Sequence, residues 1–256
     1  MAFETIEFGI DAGIATLTLN RPKVMNALNS RMRAEITQAL TSLPEEARCV
    51  VMTGSGRAFC SGQDLTDANA ARDLEATLRD EYEPMLHAVR NCSAPVIAAV
   101  NGTAAGAGAN LALVADVVIA AESADFIQAF TRIGLIPDAG GTWAIPRAVG
   151  IARAMGMMLF ADAIPARRAA DWGLIWEAVP DDEFAGVVAA RAHQLAQGPG
   201  SAYRAIRQAV SASFGNDLDE QLKLEARLQG QAGRSGDFRE GVAAFLEKRK
   251  PRFTGR

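Results

Sequence analysis

Residues 95–121 read PVIAAVNGTAAGAGANLALVADVVIAA, the most apolar stretch of the chain. Asn101, Asn110, Asp116 and several glycines interrupt it, so it reads as buried core and not as a membrane span. PVIAAVNG has the length and branching of a buried strand. TAAGAGANLALVAD begins as loop and continues as helix, and VVIAA is a further strand. A strand, a glycine-rich loop, a helix and a strand in that order favour parallel pairing in an α/β fold.

The pattern continues on both sides. Ala15, Leu17 and Leu19 alternate with Thr16, Thr18 and Asn20 as a half-buried strand. NRPKVMNALN breaks it, and Ser30 is placed to cap a helix carrying Met32, Ile36, Leu40 and Leu43. CVVMTG is a short buried strand, followed by the glycine-rich loop GSGRAFCSGQDL. Residues 67–90 are charged and mostly helical, with Leu74, Leu78, Tyr82 and Met85 near one face. Residues 150–159 and 166–172 also read as helices. Beyond about residue 195 the strands stop, and 203–214, 218–229 and 238–249 are helical. The expected division is a β/α core over 1–195 and a helical segment over 196–256, a packed appendage or an oligomerisation arm.

Composition narrows the function. The 256 residues carry a net charge of -4, so there is no general attraction to nucleic acid or to anionic lipid. Neither is expected as a partner. Cys49, Cys60 and Cys92 are sparse, odd in number and without metal spacing, which fits a reducing cytoplasm. MAFETIEFGIDAG lacks the basic start and apolar centre of a targeting signal. No metal site and no cofactor are expected.

Three loops invite chemistry. SGQDL (61–65) and GTAAGAGAN (102–110) each follow a buried strand. Their small residues permit close helix–strand packing, or let two backbone N–H groups approach one ligand oxygen and form an oxyanion hole. The second loop lacks both the P-loop ending and the G-x-G-x-x-G fingerprint. The third, LIPDAGGTW (135–143), places Asp138 in a tight corner, as a turn former or as a proton carrier. The basic tail EKRKPRFTGR is a solvated terminus or a phosphate clamp. His87 and His193 read as surface residues.

SGQDL, AAVNGTAAGAGANLAL and GLIPDAGGTW, in that order and with NRPKVMNALN and EGVAAFLEKRKPRF, resemble the crotonase family, the enoyl-CoA hydratase/isomerases. The resemblance runs from about Phe3 to the C-terminus. It implies a spiral of ββα turns, a C-terminal helical segment that packs trimers or dimers of trimers, and acyl-CoA thioester substrates whose coenzyme A is part of the substrate. It places the oxyanion-hole N–H groups on Gln63 and Ala107. It places coenzyme A contacts on Lys23, Val24, Met25, Ser61, Asp64 and Leu65, and on Phe245 and Lys248 from this or a neighbouring subunit.

The departures from the family pattern bear on the reaction. A family hydratase carries two glutamates, and this chain has Asn110 and Phe130 at those positions. Neither can activate water or manage the α-proton. Asp138 stands where a typical hydratase has glycine and where some members place a catalytic aspartate. GQDL, AAGAGA, RAMG (153–156), WGLIW (172–176) and AGRSGDFREGVAAFLEKR (232–249) resemble the subgroup that isomerises a ring-epoxidised phenylacetyl thioester to an oxepin. That implies Asp138 as the carrier in a 1,3 proton shift through a thioester enolate, with 3-enoyl to 2-enoyl isomerisation as a side activity. Tyr82, Phe130, Leu135 and Trp143 are candidates for an apolar wall that would raise the Asp138 pKa from the ordinary value of about 3.9. Two alternatives remain: an aspartate nucleophile acting on halobenzoyl thioesters, and a non-catalytic coenzyme A binder.

Overall fold

The computed structural model describes residues 3–67 and 73–255. Among the described residues, ten strands divide between two sheets. The larger has the order β1 (Ile6–Asp11), β2 (Ile14–Leu19), β3 (Cys49–Gly54), β5 (Val96–Val100), β7 (Val117–Ala121) and β10 (Glu177–Val179). The smaller has the order β4 (Ala58–Cys60), β6 (Thr103–Ala105), β8 (Asp125–Ile127) and β9 (Ala163–Pro165). The chain gives one long strand to the large sheet, one short strand to the small sheet and then a helix, and repeats this. The pairs β3–β4, β5–β6 and β7–β8 are successive coils of the expected spiral.

The pairing is parallel from β2 through β10, with Val51 beside Ile97 and Ala99 beside Ile119. Two pairs depart from the parallel expectation. β1 is joined to β2 by the tight turn at Ala12–Gly13, and β8 pairs antiparallel with β9. Both faces of the large sheet are covered, because alternate residues point to opposite sides. Val50, Met52, Ala98, Val100 and Ala120 face the main core. Val51, Ile97, Ala99 and Ile119 face the Asp181–Ala196 helix through Val188, Ala192 and Ala196. Each fully buried Val or Ile contributes about 1.5–3 kcal/mol of burial, so both faces of this sheet stabilise the fold.

Several local expectations are corrected. The cap of the Ser30–Thr41 helix is Asn29, whose side chain accepts from Met32 N–H, and Ser30 is the first helical residue. The loop after β5 contains the short strand β6, and β1 precedes the strand read from sequence. Of the 67–90 stretch, Leu74 to Arg90 is helical and contains a π-helical turn at Leu78–Tyr82, while 68–72 lie outside the described residues. The last helix is Gly236–Leu246 and not 238–249, since Lys248 adopts a positive φ of 53°.

Candidate active site

The ends of β4 and β6 bring the first two loops together. The Ala107–Leu113 helix begins directly after β6. Gly108 lies so close to β4 that an added Cβ would fall 2.4 Å from the Cys60 carbonyl oxygen. That glycine therefore serves helix–strand packing. Gly62 has a φ of +96°, and a Cβ there would lie 2.8 Å from the Ala105 carbonyl oxygen and 3.4 Å from the Ala107 nitrogen. The backbone of SGQDL thus rests on the start of the second loop.

The two N–H groups that the resemblance assigns to an oxyanion hole lie in these two loops. Ala107 opens its helix, where an N–H has no intrahelical acceptor. Leu28 forms a parallel bridge with Gln63 by donating to the Gly62 carbonyl (2.8 Å) and accepting from the Asp64 N–H (3.0 Å). Gln63 turns its own N–H away from that bridge. Two N–H donors from adjacent loops can meet one carbonyl oxygen in such an arrangement.

The Gln63 side chain is held from behind by a residue that sequence reasoning missed. Arg33, fully buried, donates to Gln63 Oε1 (3.0 Å) and to the Leu28 carbonyl (2.8 Å), and pairs with Glu81 (2.7 Å). The Tyr82 hydroxyl donates to the same Gln63 oxygen. Nothing in the helical pattern of residues 30–41 marks Arg33 as an interior residue.

Asp138 is not tied down as a turn former would be. The turn closes through its main chain: the Asp138 carbonyl accepts from Gly141 N–H (2.9 Å) and from Asn110 Nδ2 (2.8 Å). Ala139 and Gly140 take the left-handed conformations of the corner, with φ of 47° and 81°. The carboxyl oxygen Oδ1 is buried without a hydrogen-bond partner. Burial pushes the carboxyl pKa up to about 6, opposed only by a bond to its own backbone N–H. Asn110 is itself buried and accepts from Gln128 Nε2 (2.9 Å). Gln128 is a second contributor that sequence reasoning missed.

Asp138 opens on a cavity of about 1260 Å³. Tyr82, Leu135 and Trp143 line it, as the sequence reading expects, together with Asn110. Phe130 does not belong to that lining: its ring packs under Gly106, 3.7 Å from where a Cβ would be. Trp143 is 43% exposed and stacks against two guanidinium groups, Arg90 at 4.5 Å and Arg147 at 4.4 Å from the ring centre. His87 is exposed, lies 3.5 Å from Glu83 and also lines the cavity. The helix Gly200–Ala212 contributes Tyr203, Ile206 and Val210, residues that its amphipathic pattern alone does not assign to a site.

The sequence matches the Enoyl-CoA hydratase/isomerase family over residues 9–256. The chain belongs to this family. It is 63% identical to a Rhodobacter capsulatus protein named "Probable enoyl-CoA hydratase", with 100% of both chains covered. It is 46% identical to the 1,2-epoxyphenylacetyl-CoA isomerase of Escherichia coli K12, over 96% of this chain and 97% of that one. A crystal structure of enoyl-CoA hydratase from Bacillus anthracis superposes with a TM-score of 0.92 at 32% identity, covering 99% of this chain and 100% of the other.

Within this enoyl-CoA hydratase/isomerase chain, the residues expected to touch coenzyme A fall into two groups. Lys23, Val24 and Met25 form an exposed turn, with Met25 at a φ of 50°. Ser61 joins them, donating its N–H to the Met25 carbonyl (2.9 Å) and its hydroxyl to the Val24 carbonyl (3.2 Å). Leu65 is exposed nearby in sequence. The Asp64 side chain is engaged within the chain. Its carboxylate is buried against Arg21 (2.8 Å) and bonded to the Thr66 hydroxyl and N–H, which hold its pKa below the usual value despite burial. Phe245 and Lys248 are exposed and do not line the cavity of their own chain. In the basic tail, Arg249 is paired with Glu240 and Glu247, both at 2.6 Å.

Proposed function

We propose that this family member is an acyl-CoA isomerase that moves a proton through a thioester enolate, with ring-1,2-epoxyphenylacetyl-CoA as substrate and the oxepin thioester as product. The observation that carries the reading is the Asp138 carboxyl: buried beside a large cavity, with Oδ1 unpartnered and its pKa raised to about 6. A carboxyl so placed is an efficient base near neutral pH.

In this reading the thioester carbonyl meets the N–H groups of Gln63 and Ala107. Asp138 takes the α-proton, and the electron pair enters the enolate, whose charge the two N–H groups stabilise. One such donor is typically worth about 2.7–4 kcal/mol of barrier. The enolate electrons move outward as the epoxide-bearing ring expands, and Asp138 returns the proton at the γ-carbon. The overall change is a 1,3 proton shift, so one carboxyl suffices. The same shuttle moves a 3-enoyl double bond to the 2-position.

Two features weigh against hydration. Asn110 commits its amide to Asp138 and Gln128, and Phe130 packs under Gly106, so neither supplies a second acid or base. The family resemblance also supports a trimer or dimer of trimers, and the exposed Phe238, Val242, Phe245 and Leu246 of the last helix suit burial between subunits.

The test is turnover of a cis-3-enoyl-CoA by wild type and Asp138→Asn in heavy water, with crotonyl-CoA hydration measured alongside. Isomerisation abolished in the variant, with negligible hydration by wild type, is the expected result. Full activity in the variant, or brisk hydration by wild type, overturns the assignment. An aspartyl ester seen by intact mass on a halobenzoyl thioester would replace the base by a nucleophile.

A further inference from the structure

We propose that Asn110, oriented by Gln128, aims the Asp138 carboxyl by anchoring the turn through the Asp138 backbone carbonyl. The inference rests on the reading of Asp138 as proton carrier. It gives position 110 a positive task, beyond the lack of a second acid.

The argument is directional. A backbone carbonyl only accepts, so Asn110 must turn Nδ2 toward Asp138, where it lies 2.8 Å away. Its Oδ1 then faces Gln128, which donates from Nε2 at 2.9 Å. A neutral amide meets both demands. A carboxylate at 110 offers no donor and would set negative charge against the carbonyl lone pairs. An apolar residue would leave the Gln128 Nε2 group buried and unpaired. Gly141 keeps the path open, because a Cβ there would fall 2.4 Å from Asn110 Nδ2. With the corner held through the main chain in this way, Asp138 Oδ1 stays without a hydrogen-bond partner. The same geometry disfavours an ionised acid at 110 beside the turn that presents Asp138.

The test uses the full chain with Asn110→Asp, Asn110→Ala and Gln128→Ala, and Asp138→Asn in parallel. kcat and KM for a 3-enoyl-CoA are measured from about pH 5 to about pH 9, and folding is checked by melting. Asn110→Asp is isosteric, so it separates loss of the donor from loss of packing. Glu75, Glu83, His87, Arg90, Arg147 and the Asp116–Arg207 pair also line the cavity. Histidine is the other side-chain type that changes charge near neutrality, so His87→Gln serves as control and is expected to leave the pH profile in place. The Asn110 variants are expected to lose about 10–100-fold in kcat with KM little changed, the scale of a misplacement near 1 Å. The rising limb should move to lower pH in Asn110→Ala, where water reaches Asp138, and to higher pH in Asn110→Asp, where a second carboxyl stands nearby. Gln128→Ala should shift it as Asn110→Ala does, but less. A limb unmoved in both Asn110 variants, or a kcat that falls only with the folded fraction, overturns the positioning role while Asp138→Asn remains inactive. An active Asp138→Asn sinks both readings together.

Discussion

Arg33 and Tyr82 converge on one atom. The Arg33 guanidinium lies 4.7 Å from the centre of the Tyr82 ring, and both side chains donate to Gln63 Oε1. The residue whose N–H faces the proposed thioester oxygen is thus clamped through its own side chain. Tyr82→Phe removes one of the two donors. It is expected to cost about 1 kcal/mol of stability and to lower kcat more than it raises KM, as steady-state kinetics and chemical denaturation would show. Arg33→Met takes one donor from Gln63 Oε1 and leaves the half-exposed Glu81 without its partner, so a loss of about 1–3 kcal/mol is expected in the same denaturation experiment.

The raised Asp138 pKa carries a stability signature. A carboxyl whose folded pKa exceeds its unfolded pKa favours folding less as pH rises between the two values. The shift here runs from 3.8 to about 6. Asp138→Asn should match wild type below about pH 4 and become more stable above about pH 6, by about 1–3 kcal/mol at neutrality. Urea denaturation across that window checks this. An unchanged difference at all pH values would mean that the carboxyl is solvated.

Activity should rise over the pH range in which stability falls. The base works when ionised, so kcat for 3-enoyl isomerisation is expected to increase through about pH 6 and level above it. A limb near the ordinary aspartate value would show that the pocket is wet.

Arg207 fastens the helix Gly200–Ala212 to the core. Its guanidinium pairs with Asp116 (2.7 Å) and donates to the carbonyls of Arg90 (2.7 Å) and Cys92 (2.5 Å). Arg207→Met should loosen the cavity wall that carries Ile206 and Val210. The expected effect is a higher KM for acyl groups long enough to reach that wall, with short thioesters little affected. A KM series over acyl length distinguishes this from general destabilisation, which would lower activity toward all of them alike.

Much of the framework was legible in the sequence, because buried strands write themselves plainly. CVVMTG, PVIAAV and VVIAA become β3, β5 and β7 as read. The short strands β4, β6 and β8 are less visible: at three residues each they show no period, and two lie inside glycine-rich loops. The acid and the two small-residue loops were also legible, since their residue types are unusual for their positions. Arg33 and Gln128 were not. Each matters through a partner distant in sequence, Gln63 for one and Asn110 for the other, and no local pattern encodes such a contact. The cavity wall from Tyr203 to Val210 was hidden in the same way, because an amphipathic helix does not say what its apolar face covers.

The small sheet has a consequence for how the chemistry is divided. Its parallel strands β4, β6 and β8 end just before Gln63, Ala107 and Gln128, so each coil delivers one component to the same edge. The first two coils carry the groups proposed to receive charge on the thioester oxygen. The third carries Gln128 and leads on to Asp138, the group proposed to move the proton. The parts are therefore separable by coil. Rewriting the segment from Gln128 to Trp143 would change how a proton is moved, while the groups proposed to receive charge on the thioester oxygen stay intact in the two coils before it.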